Sequence, residues 1–157
     1  EAIHRLDYPT TGVLLIGKTR SSVIELNAQF SAREVEKTYH AVTIGKMVQK
    51  GIIEAQVDSK PARTSFQVQK TIKSNRFEFL NLVEVKIDTG RRHQIRKHFQ
   101  SIGNPILGDK HYFKKGLILH KKGLYLHASS LAFIHPKTKQ QVLVNSPLPK
   151  KFNKLFE

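Results

Sequence analysis

Three short segments of this chain carry side chains that can do chemistry. The first is His4-Arg5-Leu6-Asp7-Tyr8-Pro9-Thr10-Thr11-Gly12, which runs straight into the apolar stretch Val13-Leu14-Leu15-Ile16. The residue before a proline avoids the helical region, so Tyr8-Pro9 imposes an extended or turning backbone and puts Asp7 on a constrained loop at the entrance of a strand. A carboxylate can be aimed from such a place, although an Asp there is, taken alone, more often an ordinary turn residue. The second segment is Lys37-Thr38-Tyr39-His40-Ala41, where Tyr39 reads by itself as a core or cross-strand residue. The third is Thr89-Gly90-Arg91-Arg92-His93-Gln94-Ile95-Arg96-Lys97-His98. Gly90 permits a tight turn, and a helix N-terminus behind it favours anions. Basic and imidazole groups gathered there form a site facing a phosphate or a carboxylate, not an idle surface.

The elements that must position these residues follow from periodicity. Residues 12–18 read as a buried strand, because Val13 to Ile16 are consecutively apolar. Thr19 is placed as the N-cap of a helix reaching about Arg33, with Val23, Leu26 and Phe30 on one face. Tyr39 to Ile44 is a second strand. Thr64, Phe66 and Val68 alternate with polar residues, and Phe77, Phe79, Val83 and Val85 continue the alternation across a turn at Ser74-Asn75, predicting a long hairpin. A helix is expected from about Arg92, with Ile95, Phe99 and Ile102 as its buried stripe, Arg92, Arg96 and Gln100 as a polar stripe, and Gly103 just past its end. Leu124–Ile134 and Gln141–Val144 form a last hairpin around Pro136-Lys137-Thr138. Strands and helices mix without a βαβ rhythm, which predicts an α+β fold on a largely antiparallel sheet.

Composition narrows the partners. The 157 residues suit one domain with a single core. Lys and Arg number 27 against 12 Asp and Glu, a formal charge of +15. The excess runs from Lys18 to Lys154, so it belongs to a folded surface and not to a tail. A polyanion is the natural partner of such a field, and nucleic acid is the commonest one. With no cysteine there is no disulfide, thiolate metal site or Cys nucleophile. His93 and His98 are five apart and do not share a helical face, and no carboxylate joins them at ligand spacing, so no metal is expected. Neither a G-x-S-x-G nor a Walker loop is present to support acyl or nucleoside triphosphate chemistry. A nuclease would need an acidic metal cluster or a suitably spaced His pair. The longest apolar run is far short of a membrane span and no signal peptide is visible, which points to a cytoplasmic setting; a monomer is expected.

Taken together, the three segments resemble the RluA family of pseudouridine synthases. His4-Arg5-Leu6-Asp7 with Thr10 and Gly12 is similar to that family's HRLD-x-x-[ST]-[ST]-G segment, which carries the catalytic aspartate. Many members have Ser where Thr11 stands, a change that keeps the hydroxyl. Lys37-Thr38-Tyr39-His40-Ala41 resembles K-x-Y-x-A, whose tyrosine lies in the uridine pocket. Gly90 to Arg96 resembles G-R-x-H-Q-[IL]-R, whose last arginine pairs with the aspartate. Pro105-Ile106-Leu107-Gly108-Asp109, Leu126-His127-Ala128 and His135-Pro136 match further pieces in the family's order, so the resemblance extends from Ile3 to about Pro147. Members usually have strands before the first segment and many carry a small RNA-binding domain there. The resemblance therefore implies a catalytic domain over residues 1–157, lacking those N-terminal strands and any N-terminal RNA-binding domain.

What the resemblance implies is conversion of specific uridines in ribosomal or transfer RNA to pseudouridine, with no cofactor and with the uridine flipped from its stack. Asp7 is the essential carboxylate, Arg96 its bidentate orienting partner and Tyr39 the stacking and hydroxyl group. Arg5 is expected to contact RNA near the vacated position, and Arg91, Arg92 and His93 to contact phosphates. Leu6 and Ile95 are assigned to packing at the floor of the pocket. The alternative is an inactive RNA-binding domain on the same scaffold, against which the retained Asp7, Tyr39 and Arg96 argue.

Overall fold

Alternating apolar residues build a seven-stranded sheet in the computed structural model, which describes residues 1–117 and 122–157. The strands are β1 (Thr11–Gly12), β2 (Glu36–Ile44), β3 (Lys50–Ile53), β4 (Thr64–Ser74), β5 (Glu78–Ile87), β6 (Leu126–Ile134) and β7 (Gln141–Asn145). Three helices, α1 (Arg20–Ser31), α2 (Gln94–Ser101) and α3 (Lys150–Phe156), complete the described elements. The order across the sheet is β1-β6-β2-β5-β4-β3, with β7 also paired to β6. Every pairing is antiparallel except β1 with β6. The α+β, largely antiparallel architecture is the one expected; β3 and α3 are additions that the periodicity did not signal.

The long hairpin forms as predicted. β4 pairs with β5 from Thr64 opposite Ile87 to Ser74 opposite Glu78, and the turn is tied by the Phe77 amide donating to Ser74 Oγ at 3.2 Å. Thr64, Phe66 and Val68 point into the main core with Val83, Val85 and Phe99. Thr19 caps α1 as expected, its Oγ1 accepting from the Ser22 amide.

Two expectations are corrected. Of the strand expected over residues 12–18, only Gly12 lies in one, at the end of β1, and Ile16 makes an isolated bridge to Ala2, while Leu14 and Ile16 remain 45% and 59% exposed. Val13 and Leu15 instead pack on a small second core of Leu26, Val35, Leu131 and Phe133. A run of four apolar residues suggests burial on both faces, whereas here only one face is covered. The helix after Gly90 begins at Gln94, not Arg92, because His93 takes a left-handed conformation with φ 55°. That breaks both predicted stripes: Arg92 precedes the helix and is exposed, Arg96 is buried, and Ile102, past the last turn, is exposed. Ile95 and Phe99 are buried as expected, and Gly103 follows the helix with φ 81°.

Candidate active site

The sheet itself brings the first two segments together. Ala128 of β6 lies in register with Gly12 on one side and Tyr39 on the other. β1 must approach closely for this: a Cβ on Gly12 would fall 2.1 Å from the Ala128 carbonyl oxygen, and its φ is 116°. Only glycine fits there. On the other side of β6 the register with β2 slips between Thr38 and Tyr39, leaving Ser129 as the extra residue. Bulges of this kind turn a side chain out of the regular pleat. Asp7 sits five residues before Gly12, on a turn closed by the Thr10 amide donating to the Asp7 carbonyl at 2.7 Å.

Gln94 anchors the third segment. Its Oε1 accepts from Thr89 Oγ1 at 2.6 Å and from the Arg91 amide at 3.1 Å, while its Nε2 donates to the Arg63 carbonyl at 2.9 Å and Thr64 Oγ1 at 3.0 Å. All four bonding positions of this buried amide are used, so the Thr89–Arg91 turn is pinned to β4. Arg91 is tied further by Nε donating to the Pro61 carbonyl. Buried His98 bonds Thr64 Oγ1 and the Ala55 carbonyl and serves the core.

Between these segments lies a cleft of about 340 Å³. Asp7, Tyr39, Arg5, Leu6, Arg91, Arg92, His93 and Ile95 all line it, together with Thr10, Ile87, Gly90, Gln94 and Leu126. Of the residues singled out from the sequence, Arg96 alone stands behind the wall. Thr10 is a residue that sequence reasoning assigned no role. Its Oγ1 is buried at the cleft and, among the described residues, has no hydrogen-bond partner. A buried hydroxyl left open in this way is available to a bound molecule.

The arginine geometry departs from expectation. Arg96 makes its bidentate pair with Asp109, Nε to Oδ2 at 2.8 Å and Nη2 to Oδ1 at 2.9 Å. Its remaining nitrogen, Nη1, faces Asp7 Oδ2 at 3.8 Å. The fork goes to Asp109 because that carboxylate is wholly buried beside it, whereas Asp7 occupies a partly open loop with its side chain 18% exposed. Burial alone would raise the Asp109 carboxyl, but Arg96 and the Tyr112 and His111 amides hold it below its ordinary range. Burial likewise opposes charge on Arg96, and Asp109 outweighs it, so the guanidinium is held more firmly protonated than usual.

The other oxygen of Asp7, Oδ1, faces His93 Nε2 at 3.7 Å. This is not an ion pair, since burial, assisted by Arg96, Arg92 and Lys97, lowers the imidazole's pKa despite the pull of Asp7. Burial, with Asp7 adding to it, pushes the Tyr39 hydroxyl up to about 12. Tyr39 therefore keeps its proton at neutral pH and brings a ring and a donor to the cleft, not a phenolate. His4 is structural: its Nε2 accepts from the Leu15 amide at 3.0 Å and its ring stacks on Phe30. Among the described residues no three His, Asp or Glu side chains converge as a metal site would require.

The cleft thus holds a carboxylate with a guanidinium toward one oxygen and an imidazole toward the other, and three arginines among its lining residues. The chain belongs to the RNA pseudouridylate synthase family, which matches residues 1–101, a stretch containing Asp7, Tyr39 and Arg96. Over 178 residues it is 34% identical to the ribosomal large subunit pseudouridine synthase C of Pasteurella multocida (strain Pm70), covering 99% of this chain and 53% of that one. It is 33% identical to the ribosomal large subunit pseudouridine synthase D of Nitrosomonas europaea, covering 94% of this chain and 47% of that one. The chain thus spans about half the length of the curated relatives it matches. The fold is that of the solved human RNA pseudouridylate synthase domain containing 1, with a TM-score of 0.81 at 24% identity over 93% of this chain and 68% of that one.

Proposed function

We propose that residues 1–157 are the catalytic domain of an RNA pseudouridine synthase that isomerises a uridine flipped into the cleft, with Asp7 as the essential carboxylate. The observation that carries this reading is Asp7 itself, set in the cleft with Arg96 Nη1 toward one oxygen, His93 Nε2 toward the other, and Tyr39 lining the same space. The reaction breaks the C1′–N1 glycosidic bond, turns the uracil and forms a C1′–C5 bond; C5 gives up its proton and N1 gains one. Substrate and product are isomers, so the atoms balance without a cofactor. A carboxylate beside the ribose serves as nucleophile or base. Tyr39 supplies a stacking face worth roughly 1–3 kcal/mol per base. Thr10 Oγ1 offers a hydrogen bond to the bound nucleotide, and Arg5, Arg91 and Arg92 face its phosphates.

The +15 charge supports an RNA partner, and the ribosomal relatives make large-subunit ribosomal RNA the first substrate to test, with transfer RNA second. Tritium release from RNA labelled at uracil C5 measures the step directly. The unaltered chain should release tritium, and Asp7→Asn should release none while binding RNA as tightly. Appreciable release from the Asn variant refutes Asp7 as the essential group. Tight binding without release by the unaltered chain favours an RNA-binding domain that does no chemistry.

A further inference from the structure

We infer that the segment from Asp109 to Tyr112 is a positioning device for Asp7: Asp109 aims the guanidinium at one carboxylate oxygen, and Tyr112 fixes which imidazole nitrogen presents a proton to the other. The inference rests on the reading of Asp7 as the reacting carboxylate.

Asp109 accepts four hydrogen bonds. Its Oδ1 accepts from Arg96 Nη2, from the His111 amide at 2.9 Å and from the Tyr112 amide at 3.0 Å, while Oδ2 accepts from Arg96 Nε. Gly108 makes the sharp approach possible, since a Cβ there would lie 1.9 Å from the Gly123 carbonyl oxygen. With Nε and Nη2 both held, the planar guanidinium cannot turn, and Nη1 is committed to the side where Asp7 Oδ2 lies.

The two amide bonds to Asp109 also fix Tyr112. Its ring lies against the Arg96 guanidinium, with Cζ 5.1 Å from the ring centre, and its hydroxyl is 2.9 Å from His93 Nδ1. A neutral imidazole has one N–H. When the Tyr112 hydroxyl donates to Nδ1, that hydrogen sits on Nε2, which faces Asp7 Oδ1. The other tautomer would turn a lone pair toward the carboxylate, which is electrostatically unfavourable. At 3.7 and 3.8 Å neither contact is a hydrogen bond, so Asp7 is flanked by two oriented donors without being locked by them. His93 reaches this place only by its left-handed backbone, a strain that Tyr112 helps to hold.

The decisive variant is Tyr112→Phe, which keeps the ring on Arg96 and removes only the hydroxyl. The expected result is a fall in kcat on the order of 10–100-fold with KM unchanged, while the ¹⁵N spectrum of His93 changes from one tautomer protonated at Nε2 to a mixture. Asp109→Asn should lower kcat further, and Asp109→Glu should not restore it, because the longer acid cannot meet the fork and both amides at once. An unchanged His93 spectrum in Tyr112→Phe, or a changed spectrum with unchanged kcat, overturns the positioning role. Failure of the underlying reading shows itself elsewhere, as tritium release by Asp7→Asn with Asp109 and Tyr112 intact.

Discussion

Replacing Arg96 by lysine separates orientation from charge. The guanidinium is 3% exposed and gives two charge-assisted bonds to a fully buried carboxylate, plus a third nitrogen toward Asp7. An ammonium on a flexible stem keeps the positive charge and one bond to Asp109, and cannot span to Asp7. The loss is therefore one hydrogen bond to a charged group, about 1.5–3 kcal/mol. That lies below the roughly 3–5 kcal/mol expected if the buried carboxylate lost its partner outright. For a domain of this size it corresponds to a fall in Tm of about 3–12 °C. Urea unfolding and a thermal scan read the stability, tritium release reads kcat, and filter binding reads RNA affinity. We expect kcat to fall by on the order of 10–100-fold through misorientation of the carboxylate, with affinity nearly unchanged, because a buried guanidinium cannot reach a phosphate. A parallel fall in affinity and kcat, or unaltered stability, refutes the account of Arg96 as the link between Asp109 and Asp7.

For Tyr39, Phe should bind RNA nearly normally and turn over poorly, whereas Ala should lose both; equal activity of Phe and the unaltered chain confines Tyr39 to stacking. Arg92, exposed at the rim of the cleft, should act as a phosphate contact. Arg92→Ala is expected to make the slope of log affinity against log salt shallower by roughly 0.7 for single strands, leaving turnover at saturation unchanged; loss of turnover with an intact slope would place Arg92 in the chemistry instead. Stability should fall on acidification. Burial lowers the pKa of His4, His40 and His93 below the 6.5 they regain on unfolding. The unfolded chain then binds more protons below that value, so their contribution is full above it and declines as pH falls through it. Urea unfolding between about pH 7.5 and 5 should show this decline, less steeply in His4→Gln, whose amide oxygen can still accept from Leu15; a flat profile contradicts the burial of neutral imidazoles.

Much of the site was legible in the sequence because it depends on local residue type. A proline after Tyr8, a glycine before two arginines and an alternating hairpin are short-range signals. They marked the Asp7 loop and the Gly90–Arg96 segment as candidates without reference to tertiary contacts, whereas the roles of Asp7, Tyr39 and Arg96 followed from the family resemblance. The order of strands was not legible in this way. Tyr39 and Gly12 are brought to the same level of the sheet only because both register on Ala128 from opposite sides, beside a bulge that pairing creates and no periodicity announces. The apolar run after Gly12 misled for a related reason: hydrophobicity reports a preference for burial, and how many faces are covered is decided by what packs there. Position within a helix likewise misplaced Arg96 on a polar face, since a charge can be buried once a partner meets it. That partner, Asp109, lies thirteen residues on and was visible in the sequence only as part of a recurring piece. By itself, then, the sequence determined which groups are present and most of the strands and helices near them. Tertiary structure alone decided which carboxylate takes the arginine fork, because burial of Asp109 and partial exposure of Asp7 are properties of the packed chain.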